Sequence, residues 1–256
     1  MTFYLVMAFI IGAMVGSFLN VCILRLPKDE SIAFPPSHCT SCDQPIAFYD
    51  NIPIFSWLIL RGKCRNCKDK ISSRYILVET LTALLAAALV WRFGMQPITF
   101  VYFVFVAALV VVTFIDLDHR IIPDIISVPG VAIGFCSAGW FIGFLNSAIG
   151  ILIGGGSLFA LAFFYRLFTG RDGMGGGDIK LLAMIGAFIG WKGVLFTIFA
   201  SSLSGALVGL IAMAVQKKGM KLAIPFGPFL SLGAVLYIFY GPMLIGWYLG
   251  LLSVQG

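Results

Sequence analysis

The strongest constraint in this chain is a series of apolar runs, each close to the ~20 residues that cross a bilayer as a helix. They lie near 3–24, 76–93, 98–115, 125–146, 148–168, 179–191, 193–215 and 228–252. The sixth is short and relies on its neighbours for cover. Of 256 residues, 60% are hydrophobic and 11% are charged. A soluble domain carries about 25% charged residues, so this chain has too few to coat a water-facing globule. The pattern predicts an all-α polytopic membrane protein with about eight transmembrane helices. It excludes a soluble enzyme, a disordered chain and a small secreted disulfide scaffold.

The charges agree with eight crossings. The first run has no positive residue before it and no small-residue cleavage site, which makes it an anchor and not a removable signal. Arg25 and Lys28 follow it directly, so the N-terminus is expected outside. Alternating from there, the inner side receives 15 of the 17 Lys and Arg residues, including Arg120, Arg166, Arg171, Lys180, Lys217, Lys218 and Lys221; only Arg92 and Lys192 fall outside. All 11 acidic residues lie on or near the inner side. The pI of 9.1 then follows from the positive-inside bias and implies no nucleic-acid partner.

Glycines recur four residues apart within the spans, at Gly12/Gly16, Gly130/Gly134, Gly150/Gly154, Gly186/Gly190, Gly205/Gly209 and Gly246/Gly250. This spacing is one helical face, where small residues let backbones approach, and all six pairs are read as packing. No internal repeat is evident.

The one sizeable hydrophilic stretch, 25–75, carries Cys39-x-x-Cys42 and Cys64-x-x-Cys67. Two such pairs supply the four soft ligands of a closed tetrahedral Zn²⁺ site. Disulfides rarely persist in the cytoplasm, where the charge bias places this stretch, so a structural zinc site is expected over two disulfides. His38, beside Cys39, reads as an ordinary loop histidine. The expected organisation is a first transmembrane helix at 1–24, a cytoplasmic four-cysteine zinc-binding segment at 25–75, and a transmembrane catalytic domain of seven helices at 76–256.

Ionisable groups at the edges of spans are costly and are functional candidates by default. Two stretches qualify: Asp116-Leu117-Asp118-His119 with Pro123-Asp124, and Gly170-Arg171-Asp172 through Gly175-Gly176-Gly177-Asp178-Ile179-Lys180. Two crossings separate them, so both return to one side and their carboxylates can meet. Two adjacent carboxylates that share a proton suit acid–base hydrolysis of a peptide bond. Glycines before Asp178 allow an extended substrate to approach. Asp116 and Asp118 point about 200° apart if helical, and spacing alone does not choose between them. Asp124 reads as a helix N-cap, Asp178 equally as cap or catalyst, and Asp172 as solvated. Glu79 either pairs with a cation or helps the site.

Taken together, these residues resemble the type IV prepilin peptidases (leader peptidase/N-methyltransferases) of the GxGD membrane aspartic proteases. Gly16-Ser17-Phe18-Leu19-Asn20-Val21, the paired CxxC motifs, Arg74-Tyr75 through Glu79, Asp116-x-Asp118-His119 and Gly175-Gly176-Gly177-Asp178 match in that order. The resemblance implies Asp116 and Asp178 as the catalytic pair, with Gly175, Gly177, Lys180, Asp118 and Glu79 as support. It implies cleavage, at the cytoplasmic face of the bacterial inner membrane, of the short basic leader of prepilins or pseudopilins serving type IV pili or type II secretion. It also implies N-methylation of the new terminus from S-adenosylmethionine, for which no binding residues can be mapped. Two other readings remain. One is a cation-coupled transporter using the interfacial aspartates, and the other is a zinc-organised scaffold without chemistry.

Overall fold

A computed structural model describes residues 1–170, 175–216 and 225–253. Arg171 and Asp172 of the glycine-rich stretch, and Lys217, Lys218 and Lys221, lie outside the described residues. The helices are α1 (Thr2–Arg25), the short α2 (Phe55–Ile59), α3 (Arg74–Phe93), α4 (Pro97–His119), α5 (Asp124–Ile142), α6 (Phe144–Thr169), α7 (Gly176–Gln216) and α8 (Gly227–Ser253). Among the described residues there is no β-strand, only two isolated bridges. Among the described residues, all the helices except α2, seven of them, are long and apolar enough to cross a membrane. Large apolar side chains face outward along them, among them Leu152, Phe199 and Trp247. This is a multi-pass membrane protein.

The expected eight spans and the seven helices meet at Gly190. Helix α7 runs over 41 residues with one break inside it. At 1.5 Å per residue that is about 61 Å, twice the ~30 Å of bilayer hydrocarbon. Gly190 breaks the helix with φ 70° and ψ 178°, a conformation open to glycine and strained for other residues. The segments 176–189 and 191–216 therefore correspond to the sixth and seventh expected spans.

The chain divides into two units, Met1–Val111 and Val112–Gly256. In the first, α1 packs on α3. A Cβ at Gly12 would sit 2.7 Å from Ala86 Cβ, and one at Gly16 would sit 2.7 Å from the Glu79 Cα, so both glycines serve close approach as expected. Val78, Ala83 and Leu89 are fully buried on the α3 side. Asn20 on α1 donates through Nδ2 to the Tyr75 carbonyl at 3.1 Å, a polar tie at the start of α3.

In the second unit α7 is central and packs against α5, α6 and α8. Gly150 and Gly186 meet backbone to backbone, and a Cβ on either would overlap the carbonyl of the other. Gly154 lies as close to the Leu182 carbonyl. Ser147 Oγ donates to the Ala187 carbonyl at 2.8 Å across the same interface. Gly134 is covered by Phe188 and Ala187. The packing reading holds for these glycines but not for all. A Cβ at Gly246 or Gly250 would meet nothing within 4 Å, whereas Gly190, besides breaking the helix, packs on α6, its carbonyl carbon 2.9 Å from a Cβ placed on Gly150.

Candidate active site

Helix α4 ends at His119, and Arg120, with φ 56°, turns the chain out of the helix while its N–H bonds the Asp116 carbonyl at 2.9 Å. Helical geometry sends Asp116 and Asp118 in different directions. Asp116 is 5% exposed, whereas Asp118 and His119 are exposed. The burial singles out Asp116, which the spacing alone left open.

Residues 121–123 run out of helix, and α5 starts at Asp124 with Pro123 as its cap residue. No side-chain cap bond forms there, so Asp124 does not take the N-cap role expected for it. Its Oδ2 instead lies 2.6 Å from Lys180 Nζ in the first turns of α7. That ion pair ties the two motif stretches together.

Asp178 sits in the first turn of α7, half-buried, with its N–H on the Gly175 carbonyl at 3.3 Å. Asp116 and Asp178 are linked in space through Ile122, which packs on Gly177, next to Asp178, and on Gly227, whose N–H donates to Asp116. Ile122 holds the stretches in register: a Cβ at Gly177 would be 2.9 Å from Ile122 Cβ, so only glycine fits. Gly175 and Gly176 are open, the nearest approach at Gly175 being Asp178 Oδ2 at 4.0 Å. A third element was not anticipated. The Gly227 N–H at the start of α8 donates to Asp116 Oδ2 at 2.9 Å. Nothing in the sequence distinguishes this glycine from the other 28, because a hydrogen bond over 111 residues leaves no local pattern.

Glu79 belongs to the first unit. It is 7% exposed, and its Oε2 accepts the N–H of Ile54 at 2.7 Å. Ile54 has φ 66° and ψ −55°, at the centre of a tight γ-turn closed by the Phe55 N–H on the Pro53 carbonyl at 2.7 Å.

The four-cysteine segment contains a structural repeat that the sequence does not announce. In each half the first cysteine N–H bonds the carbonyl five residues on, Cys39 to Gln44 at 2.9 Å and Cys64 to Asp69 at 2.8 Å. In each half the residue after the second cysteine has positive φ, Asp43 at 53° and Lys68 at 62°. Each turn is closed by one bridge, His38 with Pro45 and Lys63 with Lys70. Ser41 Oγ donates to Asp69 Oδ2 and joins the two turns.

The four cysteines form no disulfide, and their Sγ atoms all lie within 4.8 Å of one another. Cys39 and Cys67 are 3.8 Å apart, and a tetrahedron of sulfurs about 2.3 Å from Zn²⁺ has edges of about 3.8 Å. The donor set can hold a metal. The backbone N–H groups of Ser41 and Cys42 lower the Cys39 thiol to about 7. At Cys67 the Asp69 N–H pulls downward, but desolvation and the thiols of Cys42, Cys64 and Cys39 outweigh it and push the group up to about 12. His38 is not in the donor set; its Nδ1 lies 3.1 Å from the Pro36 carbonyl.

An all-helical membrane protein with two carboxyls at helix ends joined through one isoleucine, one of them on a glycine-rich start, has the form of an intramembrane-type aspartic peptidase. Comparison with known proteins agrees. Residues 10–93 match the family model for the bacterial peptidase A24 N-terminal domain, and residues 103–210 match the model for the type IV leader peptidase family. The prepilin leader peptidase/N-methyltransferase of Aeromonas hydrophila is 37% identical over 96% of this chain and 94% of the relative. The protein of that name from Pseudomonas putida is 34% identical over 93% and 91%, and that from Neisseria gonorrhoeae 38% over 88% and 86%. No solved structure matches the chain. The chain belongs to the type IV leader peptidase family.

Proposed function

We propose that this protein is a membrane aspartic endopeptidase that removes the short basic leader of prepilins or pseudopilins. The observation that carries the reading is the convergence of Asp116 from α4 and Asp178 from α7 within one unit, where Ile122 packs on both Gly177 and Gly227 and the Gly227 N–H donates to Asp116. Two carboxyls in that relation divide the work of hydrolysis. One takes a proton from water as its oxygen bonds to the scissile carbonyl carbon. The other gives a proton to the carbonyl oxygen. The tetrahedral intermediate then breaks at the C–N bond, and the amine leaves carrying a proton returned by the pair. The open glycines Gly175 and Gly176 leave room for an extended strand beside Asp178. Lys180 supports this centre by holding α7 to α5, and Asp118 stands two residues beyond Asp116 at the end of α4; within the first unit, Glu79 fixes the turn at Ile54.

The same reading sets the protein in the inner membrane, N-terminus outside, with residues 25–75 and the aspartates on the cytoplasmic side. The positive-inside distribution supports it. The segment 25–75 binds structural zinc through Cys39, Cys42, Cys64 and Cys67, a role that suits a stretch with little core of its own. Residues 76–256 then form the catalytic part. N-methylation of the new terminus follows the names of the relatives, with S-adenosylmethionine as the methyl source. Nothing among the described residues favours cation transport.

The test is complementation. In a host lacking its own enzyme, the wild-type chain converts prepilin to the shorter mature form, and Asp116→Asn or Asp178→Asn, inserted at equal level, leaves it uncut. Normal processing by either variant rejects the pairing.

A further inference from the structure

We propose that Gly227 is a positioning residue for Asp116: its backbone N–H fixes Oδ2 and leaves Oδ1 as the oxygen that exchanges the proton of the reaction. The inference rests on the peptidase reading above and adds α8 to the catalytic machinery.

Four observations carry it. A carboxyl rotates about its Cβ–Cγ bond in a broad two-fold well, so its two oxygens interchange unless one is held. The Gly227 N–H holds one, at 2.9 Å from Oδ2, in a buried contact. Gly227 is the first residue of α8, where amides have no partner within the helix. The amides after it are committed elsewhere. Residue 228 is proline and has no N–H, while Phe229 and Leu230 both donate to the Phe226 carbonyl at 3.1 Å. One donor alone from this turn is therefore aimed at the carboxyl.

The residue must also be glycine, for reasons of space. Its φ is not in the left-handed region, so no backbone strain demands glycine. A Cβ there would stand 2.7 Å from Asp116 Oδ2 and 3.3 Å from Cγ. Real Cβ atoms do not approach so closely, so any side chain would push the carboxyl off its donor. Ile122 closes the arrangement. Its Cδ1 would lie 3.4 Å from that same Cβ, and its Cβ packs on Gly177, one residue before Asp178. One isoleucine thus touches the glycine beside each aspartate. A shift of Asp116 relative to Asp178 changes the geometry of proton transfer without touching the surface that binds the rest of a substrate.

The experiment uses the purified full chain with a prepilin peptide, comparing wild type, Gly227→Ala, and a chain with glycolic acid in place of Gly227, which removes the N–H and adds no bulk. For both changes kcat is expected to fall about 10- to 100-fold, the scale of a 1 Å misplacement. KM stays within about two-fold, because only a step in the transition state is affected. A purely structural role for Gly227 would instead lower the amount of folded enzyme and leave the kcat of the active fraction unchanged. The double variant Gly227→Ala/Ile122→Val separates the two contacts of the added Cβ. Loss of the Ile122 Cδ1 relieves packing but not the overlap with Asp116, so kcat stays low. Recovery in the double variant to the level of Ile122→Val alone overturns the proposal. So does a glycolic-acid chain with normal kcat, which remains informative if Gly227→Ala does not fold. A wild-type chain that leaves the prepilin whole overturns the peptidase reading, and this proposal with it.

Discussion

Lys180 Nζ on α7 and Asp124 Oδ2 on α5 stand 2.6 Å apart and join the two segments that carry the candidate aspartates. The side chains are 43% and 62% exposed, so water screens the pair. Its contribution to stability is about 0.5 kcal/mol, the usual scale of a surface ion pair. Its effect on catalysis is expected to exceed its effect on stability, because the pair ties two helix starts together. Lys180→Met is expected to lower prepilin cleavage by about 3- to 10-fold, with unfolding temperature shifted by only about 1 °C. A loss of stability in proportion to the loss of rate would make the pair a structural tie only.

The contact of Gly150 with Gly186 gives a sharper stability test. Alanine at either position drives a methyl into the backbone of the other helix, and α6 and α7 must separate. The expected cost is about 2–4 kcal/mol, the upper range for overpacking where a rigid backbone cannot yield. Gly156, on the same helix, has nothing within 4 Å of its added Cβ. Gly156→Ala is expected to be neutral or slightly stabilising. Thermal unfolding in detergent compares the two, and equal effects would contradict this packing.

Thiol chemistry tests the paired cysteine turns. Cys39 is lowered to about 7 and Cys67 is pushed up to about 12. Only thiolates alkylate, so metal-stripped protein at pH 8 is expected to label at Cys39 well before Cys67. The Cys39 rate falls as pH drops through 7, by about ten-fold between pH 8 and pH 6. Restored Zn²⁺, one per chain, protects both. Peptide mapping by mass reads the order, and faster labelling of Cys67 would contradict the hydrogen-bond pattern. The same protonation makes metal retention fail on the acid side.

Glu79 holds a strained turn. A β-branched residue at φ 66° costs on the order of 1–3 kcal/mol, and the Glu79 carboxylate receives its N–H. Glu79→Ala leaves that amide without its acceptor and is expected to destabilise the protein by about 1–3 kcal/mol. Glu79→Gln keeps an acceptor oxygen and loses less. If Gln and Ala lower the unfolding temperature equally, the negative charge and not the hydrogen bond is what matters at Glu79.

The membrane helices were legible because each apolar run is a local signal. Even the break in α7 was visible as two runs meeting near Gly190, although the backbone bends there without leaving the helix path for more than one residue. The four-cysteine cluster was legible because ligand spacing is also local. Asp124 was misread as a cap because its partner, Lys180, lies 56 residues away. Between Asp116 and Asp118 the spacing did not choose and the resemblance favoured Asp116; the difference in burial between the two depends on packing, which helical angle alone does not supply. The matched turns around Cys39 and Cys64 share backbone geometry with little shared sequence beyond the cysteines, so no repeat showed. Gly227 was invisible, since its role comes from what lies beside it in space.

Asp116 and Asp178 acting together on a peptide bond are the centre of the proposed chemistry. The direct measurement is to incubate the purified chain with a full-length prepilin and weigh the product. The account predicts one new species shortened by the leader, formed by wild type and lost in each of Asp116→Asn and Asp178→Asn, with both variants as stable as the parent. Cleavage that persists in either variant, or a folded wild type that never shortens the substrate, would contradict it.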